Sequence, residues 1–265
     1  MTDLCYNTPM KPSRQKLEQL VRNRSTTTIE RQQLNQLIAD NIFAASPYVT
    51  KPNFERLHAA DIQLLYELYD ENYFGGLLGS TLNSNLLSFR LSKRMTRAGG
   101  KTTRWTDRSK PGAASYEIAV ATTLLYQSFQ EPERPVTVTG IECVSRLEGL
   151  MRVMEHELVH LAELLIWSGS SCSVSRFQHI ARRVFGHTHH QHELLTPSDV
   201  ADREYGIRTG SRVRFDIQGQ SHEGIVKRIT KRATVLVIDP RGQAYSDGHK
   251  YVKFYVPLRM LEAVE

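Results

Sequence analysis

The chain has 265 residues, with 34 Lys plus Arg against 28 Asp plus Glu and a formal net charge of +6. That length holds one large domain or two modest ones; no apolar run is long enough to span a bilayer, and residues 1–24 lack the apolar core of a signal peptide, so a soluble cytoplasmic protein is expected. Cys5, Cys143 and Cys172 are scattered, which excludes a disulfide framework and a four-cysteine zinc ribbon, while the basic balance suits nucleic acid, acidic protein partners or anionic surfaces.

Residues 1–50 read as a polar extension, with a helix over 29–42 carried by Leu34, Ile38 and Ile42. Pro47 and Pro52 break it. A second helix is expected over 61–74, where Ile62, Leu65, Leu68 and Tyr69 form a stripe and Gly75-Gly76 supplies the stop. Strands follow at 87–91, 101–105 and 116–121, and Gly99-Gly100 reads as a hairpin turn between the first two. Pro132 and Pro135 mark a loop before a long helix over 144–167. After small residues at 169–173, a helix over 175–185 presents Phe177, Ile180, Ala181 and Val184 on one face and ends at Gly186. This order predicts an α+β domain over 51–204. Beyond Tyr205 short strands at 212–215, 224–229, 234–238 and 251–256, punctuated by glycines, predict a small barrel over 205–265.

The run His156-Glu157-Leu158-Val159-His160 concentrates the chemistry. On a helix, positions i and i+4 share a face, so both imidazoles reach one metal ion, with Glu157 beside it to take a proton from water. Leu147, Leu150, Met151, Met154, Leu158, Leu161 and Leu165 recur at helical spacing, which predicts a buried helix. Burial leaves one alternative open: two core histidines satisfied by hydrogen bonds, with Glu157 paired to an arginine.

Tyr69-Asp70-Glu71-Asn72-Tyr73-Phe74-Gly75-Gly76-Leu77-Leu78 resembles the opening signature of the SprT-like metalloproteases, a zincin fold. Residues 89–92 and 99–101 resemble that family's first two strands, Tyr116-Glu117-Ile118-Ala119-Val120 its next strand, and 156–160 its metal helix. The resemblance covers residues 57–192. It implies a zinc-dependent peptidase in which His156 and His160 hold Zn2+ and Glu157 is the general base. The family's best-known eukaryotic member cleaves proteins crosslinked to DNA, so protein or peptide substrates and DNA as a partner are the implied expectations. The family's third ligand is a histidine; counting back from Phe177, that place is Ser173, a poor zinc ligand. Cys172 ranks first among substitutes, ahead of Glu163, His179 and His187, the last of which leads into a cluster of His189, His190 and His192 that reads as a solvated turn.

The strand-rich tail resembles an SH3-like or KOW-like barrel. Arg212, Arg214, Lys227, Arg228, Lys231 and Arg232 are its candidate nucleic-acid contacts, and Tyr245, Tyr251, Phe254 and Tyr255 are either stacking surfaces or barrel core. With three protein ligands one zinc position stays open. Tyr116 and Arg176 are candidate oxyanion donors, and Glu163 and Glu155 candidates to orient a ligand imidazole. Two other readings remain: a non-catalytic nucleic-acid- or protein-binding module on a zincin scaffold, and a metal-dependent hydrolase of another bond. Oligomeric state is open.

Overall fold

The computed structural model describes residues 12–82, 86–107, 109, 113–130 and 136–264. Cys5, Pro132 and Pro135 lie outside them. The chain divides into two compact units, residues 1–194 and 195–265.

In the first unit, α1 (Pro12–Asn23) and α2 (Thr28–Ala45) precede α3 (Ala59–Tyr69). Thr27 caps α2 by accepting the Glu30 N–H at 3.1 Å. A reciprocal box formed by His58 and Asp61 opens α3. Residues 12–50 are not a free extension: Leu17, Val21, Ile38, Ile42 and Val49 are buried in the same core as the motif helix. Arg183 fastens this segment by donating to the carbonyls of Val21, Arg22 and Arg24 at 2.7, 2.7 and 3.0 Å. The helix expected over 61–74 changes pitch at Tyr69 and closes with a wider turn over Asp70–Phe74, ended by Gly75 in the left-handed region (φ +60°).

After α4 (Leu77–Leu82) come β1 (Leu87–Ser92), β2 (Gly100–Thr106) and β3 (Ala114–Ala121). Their spatial order is β1-β3-β2, with β1 parallel and β2 antiparallel to β3. The expected hairpin between β1 and β2 is therefore corrected: the two strands are not neighbours, and Gly99-Gly100 is no hairpin turn. The glycines answer to close approach instead. A Cβ on Gly99 would stand 2.8 Å from Leu194 and 3.1 Å from His192, and one on Gly100 only 2.6 Å from the Glu157 carboxylate.

Next are α5 (Thr122–Ser128), a two-stranded ribbon of β4 (Val136–Val138) and β5 (Ile141–Cys143), and the motif helix α6 (Arg146–Trp167). Ser145 caps α6 by accepting the Glu148 N–H. Its residues from Leu147 to Ile166 are buried almost all round, as the sequence pattern predicts. Then α7 (Ser175–Phe185) lays Phe177, Ile180, Ala181, Val184 and Phe185 into the core and ends at left-handed Gly186 (φ +77°).

The second unit opens with α8 (Pro197–Tyr205), capped by Thr196 and Asp199. It continues with β6 (Arg212–Ile217), β7 (Gln220–Ile229), β8 (Ala233–Ala244), β9 (Lys250–Val256) and β10 (Glu262–Ala263). These strands form one antiparallel sheet in the order β10-β6-β7-β8-β9. The expected boundary at Tyr205 falls at the end of α8, because Ala201 joins the second core with Val213, Phe215, Val226 and Val235. No helix among the described residues is long and apolar enough to cross a membrane.

Candidate metal centre

One turn of α6 brings His156 and His160 together, with their Nε2 atoms 3.2 Å apart. Two nitrogens on a tetrahedral zinc ion, each at about 2.05 Å, stand about 3.3 Å apart. The pair thus has the spacing that an ion would impose. Phe177 of α7 packs on both rings, with centroids at 4.7 and 4.4 Å, and fixes their planes. Burial holds both rings neutral: His160 is pushed down to about 4, and His156 lower still by burial and then by His192 and His160. Neutral imidazole is the form that donates a lone pair to a metal.

Donor polarity sorts the second nitrogens. His160 Nδ1 lies 2.6 Å from Ser170 Oγ, which lies 2.5 Å from Glu163 Oε2. A carboxylate only accepts, so the Ser170 proton points to Glu163 and its oxygen accepts the His160 Nδ1–H. The His160 Nε2 lone pair is left facing the centre, the arrangement of a metal-ligating histidine. Arg176 closes the chain of contacts, its Nε 2.6 Å from Glu163 Oε1 and its guanidinium 4.2 Å from the Trp167 ring centroid. His156 Nδ1 is buried without a hydrogen-bond partner among the described residues.

Cys172, in the loop between α6 and α7, places a ligand-type atom beside the pair: its Sγ and one ring nitrogen each of His156 and His160 lie within 4.8 Å of one another. Gln178 Nε2 donates to the Cys172 carbonyl at 3.1 Å and steadies that loop. Burial raises the Cys172 thiol above its usual range. Ser173, where the resemblance places a histidine, is exposed and bonded to Ser171.

The other substitutes do not join this trio. Glu163 is committed to Ser170 and Arg176. His187 is buried with Nε2 2.8 Å from Glu155 Oε2. His179 is exposed and lines a pocket with His187, His189 and His190. Of the two carboxylates expected to orient a ligand, Glu163 reaches His160 through Ser170. Glu155 instead meets Tyr69, Arg152 and His187 in a buried network. Of the two expected oxyanion donors, Arg176 is held by Glu163, and Tyr116 is buried on β3.

Glu157 is buried beside the histidines. Thr102 Oγ1, from β2, lies 2.7 Å from its Oε2 and 3.0 Å from its carbonyl oxygen. Burial pushes the carboxyl up to about 7, against the hydrogen bonding of Thr102. The alternative holds in one half only: His160 is hydrogen-bonded to Ser170 and to His156, but among the described residues Glu157 meets Thr102 and, at 3.8 Å, His192 rather than an arginine.

The reading of His192 as part of a solvated turn is corrected. The residue is buried, its ring centroid lies 4.4 Å from that of His156, and its Nδ1 accepts the N–H groups of Gly99 and Gly100 at 3.0 and 3.3 Å. With His156 and Glu157 it forms a second cluster of ligand-type atoms within 4.8 Å. The alternation of buried His192 and Leu194 with exposed Gln191 and Glu193 was the available signal.

In the second unit Arg212, Arg214, Lys227, Arg228, Lys231 and Arg232 are all exposed. Arg214 is paired with Glu223, and Lys227 Nζ lies 4.4 Å from the Tyr245 ring centroid. Tyr251 is buried and Phe254 packs on Phe215 and His222, whereas Tyr255 is exposed.

No protein-family model matches the chain, and neither a curated protein nor a solved structure does.

Proposed function

We propose that the chain is a zinc-dependent metallopeptidase of the SprT-like type, with a zincin fold in the first unit and an SH3-like barrel in the second. The observation that carries this reading is the pair of imidazoles with Nε2 atoms 3.2 Å apart, with the Cys172 thiol in reach and a buried carboxyl alongside. His156, His160 and Cys172 would hold the ion. When bound, zinc would lower the pKa of a coordinated water and polarise the scissile carbonyl. Glu157 takes the proton of the attacking water through Oε1, since Oε2 is held by Thr102, and passes it to the leaving amine.

The sheet supports peptide as the substrate class. β2 lies at one end of the order β1-β3-β2, so one of its edges has no strand partner among the described residues. An extended peptide adds to such an edge by main-chain hydrogen bonds. Thr102 on that strand touches Glu157, so a chain bound there would run past the base. The exposed cations of the second unit support recruitment to DNA-associated proteins.

The reading is tested by zinc stoichiometry and by Glu157→Gln. Purified protein should carry close to one zinc, and Glu157→Gln should keep the metal while losing cleavage of an unfolded protein substrate. An unchanged rate in that variant removes Glu157 from its role. A metal-free protein that rejects added zinc ends the peptidase reading and leaves the binding-module reading, which the exposed cations of the second unit favour.

A further inference from the structure

Two clusters compete for the third ligand position: Cys172 with the two motif histidines, or His192 with His156 and Glu157. Hydrogen-bond polarity separates them. A histidine that binds a metal through Nε2 carries its proton on Nδ1 and donates it outward, as His160 does toward Ser170. His192 faces the opposite way. Its Nδ1 meets two backbone N–H groups, of Gly99 and Gly100, and neither can accept a proton. A proton on Nδ1 would set donor against donor in a buried site. The lone pair must therefore be on Nδ1 and the proton on Nε2, which leaves Nε2 without a lone pair for an ion.

That Nε2–H is buried, has no hydrogen-bond partner among the described residues, and stands 3.8 Å from Glu157 Oε1. The span exceeds a direct hydrogen bond by several tenths of an ångström, and His192 Nε2–H faces that carboxylate oxygen. The glycine pair is what permits this placement. A Cβ on Gly99 would press on His192 and one on Gly100 on Glu157, so the same two residues hold the imidazole and clear the carboxylate.

We propose that His192 is a positioning residue for Glu157 and not a metal ligand: backbone donors at Gly99 and Gly100 fix its tautomer, and its Nε2–H steers the Glu157 oxygen that receives the proton of the attacking water. The catalytic part of this inference rests on the peptidase reading; the tautomer assignment does not. Glu157 thus has Thr102 of β2 bonded to one oxygen and His192, from the segment after α7, facing the other at 3.8 Å.

The tautomer is read directly by 15N NMR of the full-length protein, first metal-free and then with added zinc. The expected pattern is an unprotonated Nδ1 and a protonated Nε2 for His192 in both states. A metal-shifted His192 Nε2 on zinc addition overturns the proposal. Zinc content supplies the second arm. His192→Ala should keep its zinc, whereas Cys172→Ala should lose it; the reverse result makes His192 the ligand. In the kinetic arm, His192→Ala should lower kcat by roughly 10- to 100-fold with KM unchanged. His192→Gln, whose amide N–H reaches the place of Nε2–H, should recover most of that loss. Equal kcat in the two variants would show that the donor is not what matters. If the wild type binds no zinc, the peptidase reading fails, while the NMR experiment on the metal-free protein still decides which nitrogen of His192 carries the proton.

Discussion

Gly100 and Glu157 stand so close that a methyl group on the glycine would lie 2.6 Å from Oε1 and 2.7 Å from Cγ of the glutamate. This approach joins the start of β2 to the middle of α6, at the residue read as the base. Gly100→Ala should therefore displace the carboxylate or the strand. Overpacking of this kind costs typically about 1–3 kcal/mol. The expected outcome is a lowered unfolding midpoint together with a loss of kcat, measured by thermal denaturation and peptide cleavage. A variant with wild-type values in both would show that the strand moves aside freely.

Metal removal should separate the two candidate trios by stability as well as by stoichiometry. A ligand that binds only the folded state stabilises it by about 2.7 kcal/mol when its free concentration is a hundred times Kd. Added zinc should raise the unfolding temperature of chelator-treated wild type. It should not do so for Cys172→Ala, which lacks the thiol that shares the centre with His156 and His160. A full zinc-induced shift in that variant would exclude Cys172 as a ligand.

The hydrogen bonds from His160 through Ser170 to Glu163 predict a graded effect rather than an abolished site. Ser170→Ala leaves the His160 Nδ1–H without its acceptor and Glu163 with Arg176 alone. Removing such an outer hydrogen bond weakens metal binding by roughly 10- to 100-fold. Competition against a chromogenic chelator would measure the change. An unaltered zinc affinity would mean that the ring is held by Phe177 packing alone.

Much of this site was legible in the chain because it rests on local pattern. The stripe from Leu147 to Leu165 and the four-residue histidine spacing are properties of one helix, and the apolar face of 175–185 is a property of the next. What stayed hidden depends on partners distant in sequence. Gly99-Gly100 resembles a turn until His192 and Glu157 are packed against it, 92 and 57 residues away in the case of Gly100. The parallel pairing of β1 with β3 leaves no mark on either strand's own pattern. Likewise α1 reads as polar because only Leu17 and Val21 are buried, while Arg14 and its neighbours cover the surface and reach carbonyls such as that of Ile166.

Acid should destabilise the metal-free protein, and the sign follows from the histidines. His160 and His192 are pushed down to about 4 and about 3 by burial, and His156 is pushed down further. Between these values and the ordinary 6.5, the unfolded chain binds more protons than the folded one, so stability rises with pH across that window. Glu157 works the other way: raised to about 7, it is protonated in the folded state where the unfolded carboxyl is ionised, and its contribution falls as pH rises from 4.5 to 7. Burial also lowers His187 and raises Asp70, so four imidazoles against two carboxyls predict a net fall in unfolding temperature from pH 6.5 down to pH 4. Replacing His192 with Gln should flatten that fall. A melting temperature insensitive to pH over this range would show that the rings are not buried as neutral groups.

The second unit makes a prediction about which cations matter. A charge already satisfied inside the protein gives little to a phosphate, and Arg214 is held by Glu223 at 2.5 Å with Arg212 at 3.9 Å from the same carboxylate. Lys231 and Arg232, at the bend between β7 and β8, are exposed. If the unit binds DNA, Lys231→Glu with Arg232→Glu should weaken duplex binding and reduce the salt slope by about 0.9 for each phosphate no longer neutralised. Arg214→Gln should change affinity less, since it gives up a pairing within the sheet rather than one with the ligand. Fluorescence anisotropy across a salt series distinguishes the cases. Equal weakening in the two variants would extend the DNA-binding surface from the β7–β8 bend to β6. A wild-type chain that shows no binding at low salt would leave the second unit without a nucleic-acid role.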